Sequence, residues 1–418
     1  MNNGMCTNSG KTPATTIAGR GARRFWQALV AGLLAVCMAG PVFAGAREQA
    51  FQIHQRIAGV PPSDTVLAQM ENLIVTNGTD PACPGGVTGA NCAAYLAMDN
   101  VGFYNVTLKN FAAPWTNRDR SVFVPFNDYI ATVVGMIRDS DLMPFTDLLW
   151  EDITYVGAPG AASTPAAADN NQHYEELERN NVNLRDQLVR TTQSSVLGIP
   201  PGATAGVMTS RAASEAFFIA GTNRAMFRFT LLNHMCYDLE QLHDTKLPPD
   251  WIRQDVARSP GGDSRLFLNN CIGCHSGMDP LAGAFAYYNY DEASGRLVYD
   301  ASAPHPKYFN NDLNFPQGFR TVDDSWENRW RVGQNAFLDF SGATAGSGNG
   351  AKSLGRELAL SGAFASCQVK KVFEAVCVRP PESDTDHAAV ASITNTFRTT
   401  GHSMKQVFAD TAVHCMGQ

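Results

Sequence analysis

The chain has 418 residues, 44% hydrophobic and 17% charged, with 32 Lys and Arg against 39 Asp and Glu and a formal net charge of −7. The length suits two or three packed units, and the acidic balance argues against nucleic acid or an anionic membrane surface as a partner. It permits pairing with a basic redox protein, while a solvated acidic surface kept for solubility accounts for the same numbers.

At the N-terminus Arg20, Arg23 and Arg24 form a basic region, Ala28 to Gly40 is an apolar run too short to anchor in a bilayer, and Val42-Phe43-Ala44 ends in a small residue suited to cleavage. Residues 1–44 therefore read as an export signal. The rival readings are a retained membrane helix and a twin-arginine route, hinted at by Arg23-Arg24. Removing the signal takes away four basic residues and no acidic ones, leaving 28 against 39, a balance of −11. No later segment has the length of a transmembrane helix, so no integral membrane segment is expected after cleavage.

The dominant period downstream is helical, and the fold class expected is mainly α. Leu67, Met70, Leu73 and Ile74 form one apolar face after the start signal Pro61-Pro62-Ser63-Asp64, and Phe126, Tyr129, Ile130, Val133, Val134 and Ile137 form another. A polar surface helix is predicted over His173–Arg190 and a more apolar helix over Arg224–Leu242. Leu354, Leu358, Val369, Val372, Phe373 and Val376 belong to a further helical stretch closed by Arg379-Pro380-Pro381, and a last helix starts after Gly401. Gly157 to Asn171 and Ser341 to Gly350 read as linkers or long surface loops. Ala293 to Phe337 shows no clear period beyond a short hairpin around Leu297-Val298-Tyr299. Gly346-Ser347-Gly348-Asn349-Gly350-Ala351-Lys352-Ser353 has Ala351 where a phosphate loop needs glycine, and reads as a flexible loop.

Cys271-Ile272-Gly273-Cys274-His275 is the most specific motif in the chain. Two cysteines three apart present both sulfurs on one side of a helical turn, where they can add to the vinyl groups of a porphyrin, and the adjacent imidazole then reaches the iron. A thioredoxin-like pair has no need of the histidine. A zinc knuckle would want a second Cys/His pair at similar spacing, and Cys83 and Cys92 stand too far apart. The cofactor expected is one covalent haem c, attached at Cys271 and Cys274 with His275 as axial ligand; such attachment takes place outside the cytoplasm and agrees with the export signal. Asp279-Pro280 reads as the end of this turn, with Pro280 opening the next helix. Tyr287, Tyr288 and Tyr290 read as aromatic packing.

Cys6 and Cys37 leave with the signal, and six cysteines remain outside the motif, enough for three disulfides in an oxidising compartment. Cys83 with Cys92 is the pairing expected across the turn-rich loop between them. Cys367 and Cys377 are about 15 Å apart along one helix and need other partners, with Cys236 and Cys415 available.

The stretch LFLNNCIGCHSGMDPLAGAFAYYNYDEASG, Leu266 to Gly295, resembles the cytochrome-c-like domain of the large secreted planctomycete-type proteins, where Cys-x-x-Cys-His is followed by Asp-Pro, an apolar-aromatic helix and a glycine turn. Arg211 to Asp250, with Leu231-Leu232-Asn233-His234-Met235-Cys236, is similar to the segment before that motif in the family. Val122 to Val156 and Leu358 to Cys415 are similar to its partner domains. The resemblance implies a mostly helical fold with one covalent haem. The domains expected are the signal over 1–44, a helical domain over 45–165, a cytochrome-c-like haem domain over 166–340 and a C-terminal helical domain over 341–418.

Met278 is held by the chain on the same side as His275. His402 and Met404, before the last helix, are the first choice for a sixth iron ligand and His305 the second; His234, Met235 and His414 also carry suitable donors, and five-coordinate iron is equally open. The function expected is electron transfer by an exported monohaem cytochrome with a redox partner protein. A haem oxidoreductase acting on peroxide or an organic substrate is favoured by size, since roughly 370 residues exceed what electron transfer needs. A surface binding module with structural haem is the third possibility.

Overall fold

Helix starts fall where a short polar side chain can take the first free amides. Ser63 accepts from Val66 N to open Asp64–Thr76, Asn127 accepts from Ile130 N to open Asp128–Arg138, and Ser361 accepts from Phe364 N to open Gly362–Cys377. The structure is a computed structural model and describes residues 45–218 and 223–416. The export signal, with Cys6 and Cys37, lies outside the described residues.

In chain order the longer helices are α1 (Ala46–Ala58), α2 (Asp64–Thr76), α3 (Gly89–Met98), α4 (Asp128–Arg138), α5 (Gln172–Arg179), α6 (Arg211–Phe217), α7 (Arg224–His234), α8 (Ile272–Ala282), α9 (Gly350–Ala359), α10 (Gly362–Cys377), α11 (Asp384–Thr399) and α12 (Met404–Cys415). The fold is mainly α. Three small antiparallel pairs complete it: β1 (Thr154–Gly157) with β2 (Leu188–Thr191), β3 (Tyr288–Asp291) with β4 (Arg296–Tyr299), and β5 (Ser325–Glu327) with β6 (Ser347–Asn349). The α1, α2 and α3 helices pack on one another, and α12 closes on α3 and α1 while also packing on α10 and α11. From Ala46 onward the chain is one compact unit. Among the described residues no helix is long and apolar enough to cross a membrane.

The apolar faces read from the sequence are core faces. Tyr129, Ile130, Val133, Val134 and Ile137 of α4 are buried, as are Leu67, Met70 and Leu73 of α2. Aromatic edges meet where α12 reaches the first half of the chain: Phe408 lies 5.1 Å from Phe103 and 5.6 Å from Phe111, ring centre to ring centre.

Several predicted elements differ in extent. The helix expected over His173–Arg190 ends at Arg179 because Asn181 turns left-handed (φ 46°), and Arg190 lies in β2. This helix is also not wholly a surface element, since His173, Tyr174 and Leu177 are buried. The helix expected over Arg224–Leu242 stops at His234, and Cys236 is left-handed at φ 58°. One expected stretch is two helices, α9 and α10, broken at Ser361. The glycine-rich segment at 346–353 is not a flexible loop: it forms β6 and the first turn of α9, fixed by Trp326 Nε1 donating to Ser353 Oγ at 2.8 Å. The hairpin expected at Leu297-Val298-Tyr299 is β3–β4.

Among the described residues, all six cysteines outside the motif are paired: Cys83 with Cys92, Cys236 with Cys367 and Cys377 with Cys415. The first is the expected bridge. The other two resolve Cys367 and Cys377 as the helix geometry requires, each reaching off α10 to a separate partner.

Candidate functional site

Cys271 and Cys274 are the two free cysteines among the described residues, and both are partly exposed. They sit at the junction of a wide π-helical turn, Phe267–Cys271, with α8, where Ile272 N donates back to Phe267 O. At 3.6 residues per turn, Cys271, Cys274, His275 and Met278 share one side of this helix, and Gly273 and Gly277 share the other.

The glycine side is pressed into protein. A Cβ on Gly273 would come 2.5 Å from His243 Nε2, and one on Gly277 would come 2.2 Å from Trp330 Nε1. Asp244 N donates to Gly273 O at 3.1 Å and the Cys274 thiol reaches Leu239 O at 3.5 Å. The motif is thus anchored at its glycines, with the imidazole and the Cys271 sulfur on the opposite side and the Cys274 sulfur against the 239–242 turn. Gly277→Ala is expected to destabilise the protein by about 1–3 kcal/mol through overpacking against Trp330. Gly342→Ala, with open space around it, is expected to cost close to nothing; paired urea titrations check the contrast.

Asp279 stands one turn after His275, and His275 Nδ1 lies 3.1 Å from its Oδ1. The Asp279 side chain is 0% exposed and Arg224 grips it with a fork, Nε to Oδ1 at 2.8 Å and Nη2 to Oδ2 at 3.1 Å. Arg224 forks equally onto Asp255, at 2.8 and 2.9 Å. Arg253 donates its backbone N to Asp279 Oδ2 at 3.3 Å and brings its guanidinium to 3.8 Å from Oδ1. Burial alone would push the Asp279 carboxyl up; Arg224 and Arg253, with His275, overcome this and hold it well below its ordinary value. Burial pushes the Cys274 thiol up, with Glu240 and Asp238 adding to the effect.

The sequence reading placed a helix break at Asp279-Pro280. Instead α8 runs through Pro280 to Ala282, because Asp279 is held in place by two arginines and its neighbours are buried. The i, i+4 spacing of His275 and Asp279 was the available signal for their contact. Arg224, Arg253 and His243 carried none, since each arrives from a distant segment.

Apolar surface flanks the motif. Leu266 and Leu268 are exposed on the approach to Cys271, and Phe309, Leu313 and Phe337 are exposed on neighbouring segments. The 308–315 loop is tied to the motif helix by Tyr308 Oη donating to Ala282 O at 2.7 Å and by Arg258, whose guanidinium lies 4.8 Å from the Phe267 ring centre and 3.9 Å from that of Phe315. Burial pushes the Arg258 guanidinium down, with Asp279 and Asp255 opposing this. Among the described residues, no group of three or more His, Cys, Asp or Glu is placed to share one metal ion. The motif therefore does not gather its donors into a zinc-like cluster. Two free thiols, an imidazole held by Asp279 and exposed apolar residues before the motif would suit a porphyrin held at its edge, where sulfurs bond carbon and only the histidine bonds metal.

The other candidate ligands are engaged elsewhere. His402 packs edge-on against Phe397 at 5.1 Å, donates its backbone N to Phe397 O, and accepts from Phe145 N at its carbonyl. Burial, with Arg398, pushes its imidazole pKa down. Met404 is fully buried at the start of α12, whose main neighbours are α1, α3, α10 and α11, whereas α8 packs chiefly on α7, the 239–242 turn and β5. His305 lies beside the end of the motif segment, its backbone N donating to Ala286 O at 2.8 Å, and its Nδ1 accepts from Lys307 N at 3.3 Å. His234 is buried with Nε2 at 2.7 Å from Tyr129 Oη, Met235 is buried beside it, and His414 Nε2 contacts Asp386 Oδ1 at 2.9 Å. Tyr288 stacks on Phe218 and donates to Ala203 O, and this packing role agrees with its reading.

Compared with known protein families, curated proteins and solved structures, the chain matches none.

Proposed function

We propose that the chain is an exported monohaem c-type cytochrome that passes single electrons to or from a partner protein. The observation that carries this reading is the partition of the cysteines: among the described residues six are locked in disulfides, and the two left free are those of Cys-x-x-Cys-His, on one helix side with His275. The likeness of Leu266 to Gly295 to the planctomycete-type cytochrome-c-like domain points the same way, with 166–340 as the haem-bearing segment. Three disulfides agree with an oxidising, extracytoplasmic compartment.

When bound, haem c supplies one-electron exchange at its iron. Cys271 and Cys274 would hold its edge. His275, its Nδ1 turned to Asp279, would offer Nε2 to the iron. Gly273 and Gly277 let the motif helix sit firmly against His243 and Trp330, so the axial imidazole does not swing. The acidic mature chain, at −11, suits a basic redox partner approaching the apolar flank. Protein made with a periplasmic haem-attachment system is expected to keep its colour through acid-acetone extraction and denaturing electrophoresis; loss of the colour there removes the reading.

The second reading, a haem oxidoreductase acting on peroxide or an organic substrate, is favoured by the packing of His402 against Phe397 and of Met404 in α12, whose main neighbours do not include α8. His402→Ala is accordingly expected to leave the visible spectrum of the oxidised protein unchanged, and a shifted spectrum would restore His402 as a ligand. Rapid carbon monoxide binding by the ferrous protein together with turnover of peroxide would move the assignment to the oxidoreductase.

A further inference from the structure

We propose that Asp279 is a positioning residue that fixes the tautomer of His275 and strengthens it as an iron donor, lowering the reduction potential, and that the fork of Arg224 grades this effect. The proposal rests on the haem reading and adds to it the group that tunes the centre.

A carboxylate gripped by arginine can only accept hydrogen bonds. With Asp279 Oδ1 at 3.1 Å, His275 Nδ1 must therefore be the donor, and the lone pair is left on Nε2, where a metal can use it. The contact spans one turn of a single helix and the carboxylate is 0% exposed, so water does not compete for it. A formal anion draws on the N–H more strongly than a neutral carbonyl does, which makes the imidazole more basic toward iron and favours the oxidised state. Arg224 tempers the pull because its Nε shares Oδ1 with His275. It also forks onto Asp255, so its charge is divided between two carboxylates. Arg253 donates its backbone N to the far oxygen and keeps the carboxylate in place, with its guanidinium 3.8 Å from Oδ1.

The test compares wild-type protein with Asp279→Asn, Asp279→Glu and Asp255→Asn, each first checked for covalent haem by denaturing electrophoresis. A wild-type chain without covalent haem defeats the haem reading itself; the comparison below then decides the role of Asp279 only in haem-bearing protein. Two quantities are read: the reduction potential, and the His275 ring N–H proton resonance in the diamagnetic ferrous form, which a six-coordinate iron gives directly and a five-coordinate iron gives on adding carbon monoxide. Asp279→Asn is expected to raise the potential and move the resonance upfield, and Asp279→Glu to bring both back toward wild type. Asp255→Asn leaves the Arg224 charge on Asp279 alone without touching His275, so it is expected to move the resonance upfield by a much smaller step than Asp279→Asn. An unmoved resonance in Asp279→Asn, or an equal displacement in Asp255→Asn, overturns the proposal and leaves Asp279 as a remote charge. If Asp279→Asn does not accumulate, Arg224→Lys reads the contact from behind: loosening the fork is expected to move the resonance downfield and the potential down, and no change in either overturns the proposal.

Discussion

Replacing Cys271 and Cys274 together by serine is expected to abolish covalent pigment altogether, from nearly all of the protein to none, while peptide mapping still recovers the three disulfides. The cysteine partition sets this outcome. Every other described thiol is consumed in a bridge, so none is free to substitute for a lost attachment point. A single replacement leaves one thioether and is expected to keep part of the colour. His275→Ala is expected to separate the two tasks of the motif, retaining pigment on denaturing gels but losing the axial donor and with it the wild-type spectrum. Pigment that survives the double replacement would mean that the haem reading is wrong.

The largest effect on stability is expected from the Cys236–Cys367 bridge. It closes 131 residues of chain, against 9 for Cys83–Cys92 and 38 for Cys377–Cys415. On the chain-entropy account its removal costs about 5 kcal/mol, against about 3 for the shortest loop. The bridge also ties Cys236, just beyond α7, to α10, and α7 carries Arg224 into the motif's charge network. Paired alanine replacements compared by urea unfolding should rank the bridges in order of loop length. A larger loss from the Cys83–Cys92 pair would reject the ranking.

Sequence periodicity located the helices whose burial is one-sided and apolar, such as α2 and α4. It missed α11 because only Val390, Ile393 and Phe397 of its apolar residues are buried, and its start is written in the capping box of Ser383 and Asp386 instead. It overran α5 and α7 because each ends at a left-handed residue, Asn181 or Cys236, that no apolar pattern announces. The strand β2 is equally illegible, four residues whose pairing is set by β1 more than thirty positions earlier. At the site the Cys-x-x-Cys-His motif was plain from spacing alone. Its supporting groups were not: Asp279 read as a helix stop because a following proline usually means one, and Arg224 reaches it across 55 positions. His243 and Trp330 act through contact with glycines, which have no side chain to betray a partner.

The Cys236–Cys367 bridge encloses the attachment motif in sequence, and this bears on biogenesis. In the unfolded, newly exported chain Cys236 lies much nearer to Cys271 and Cys274 than to Cys367, and closing the shorter loop is easier by about 1 kcal/mol. An oxidant acting early therefore captures the motif thiols in the wrong bridge and disables both the staple and the attachment point at once. If the motif carries haem, maturation is expected to run in order, the motif being modified first, which removes the two wrong partners nearest to Cys236 in sequence.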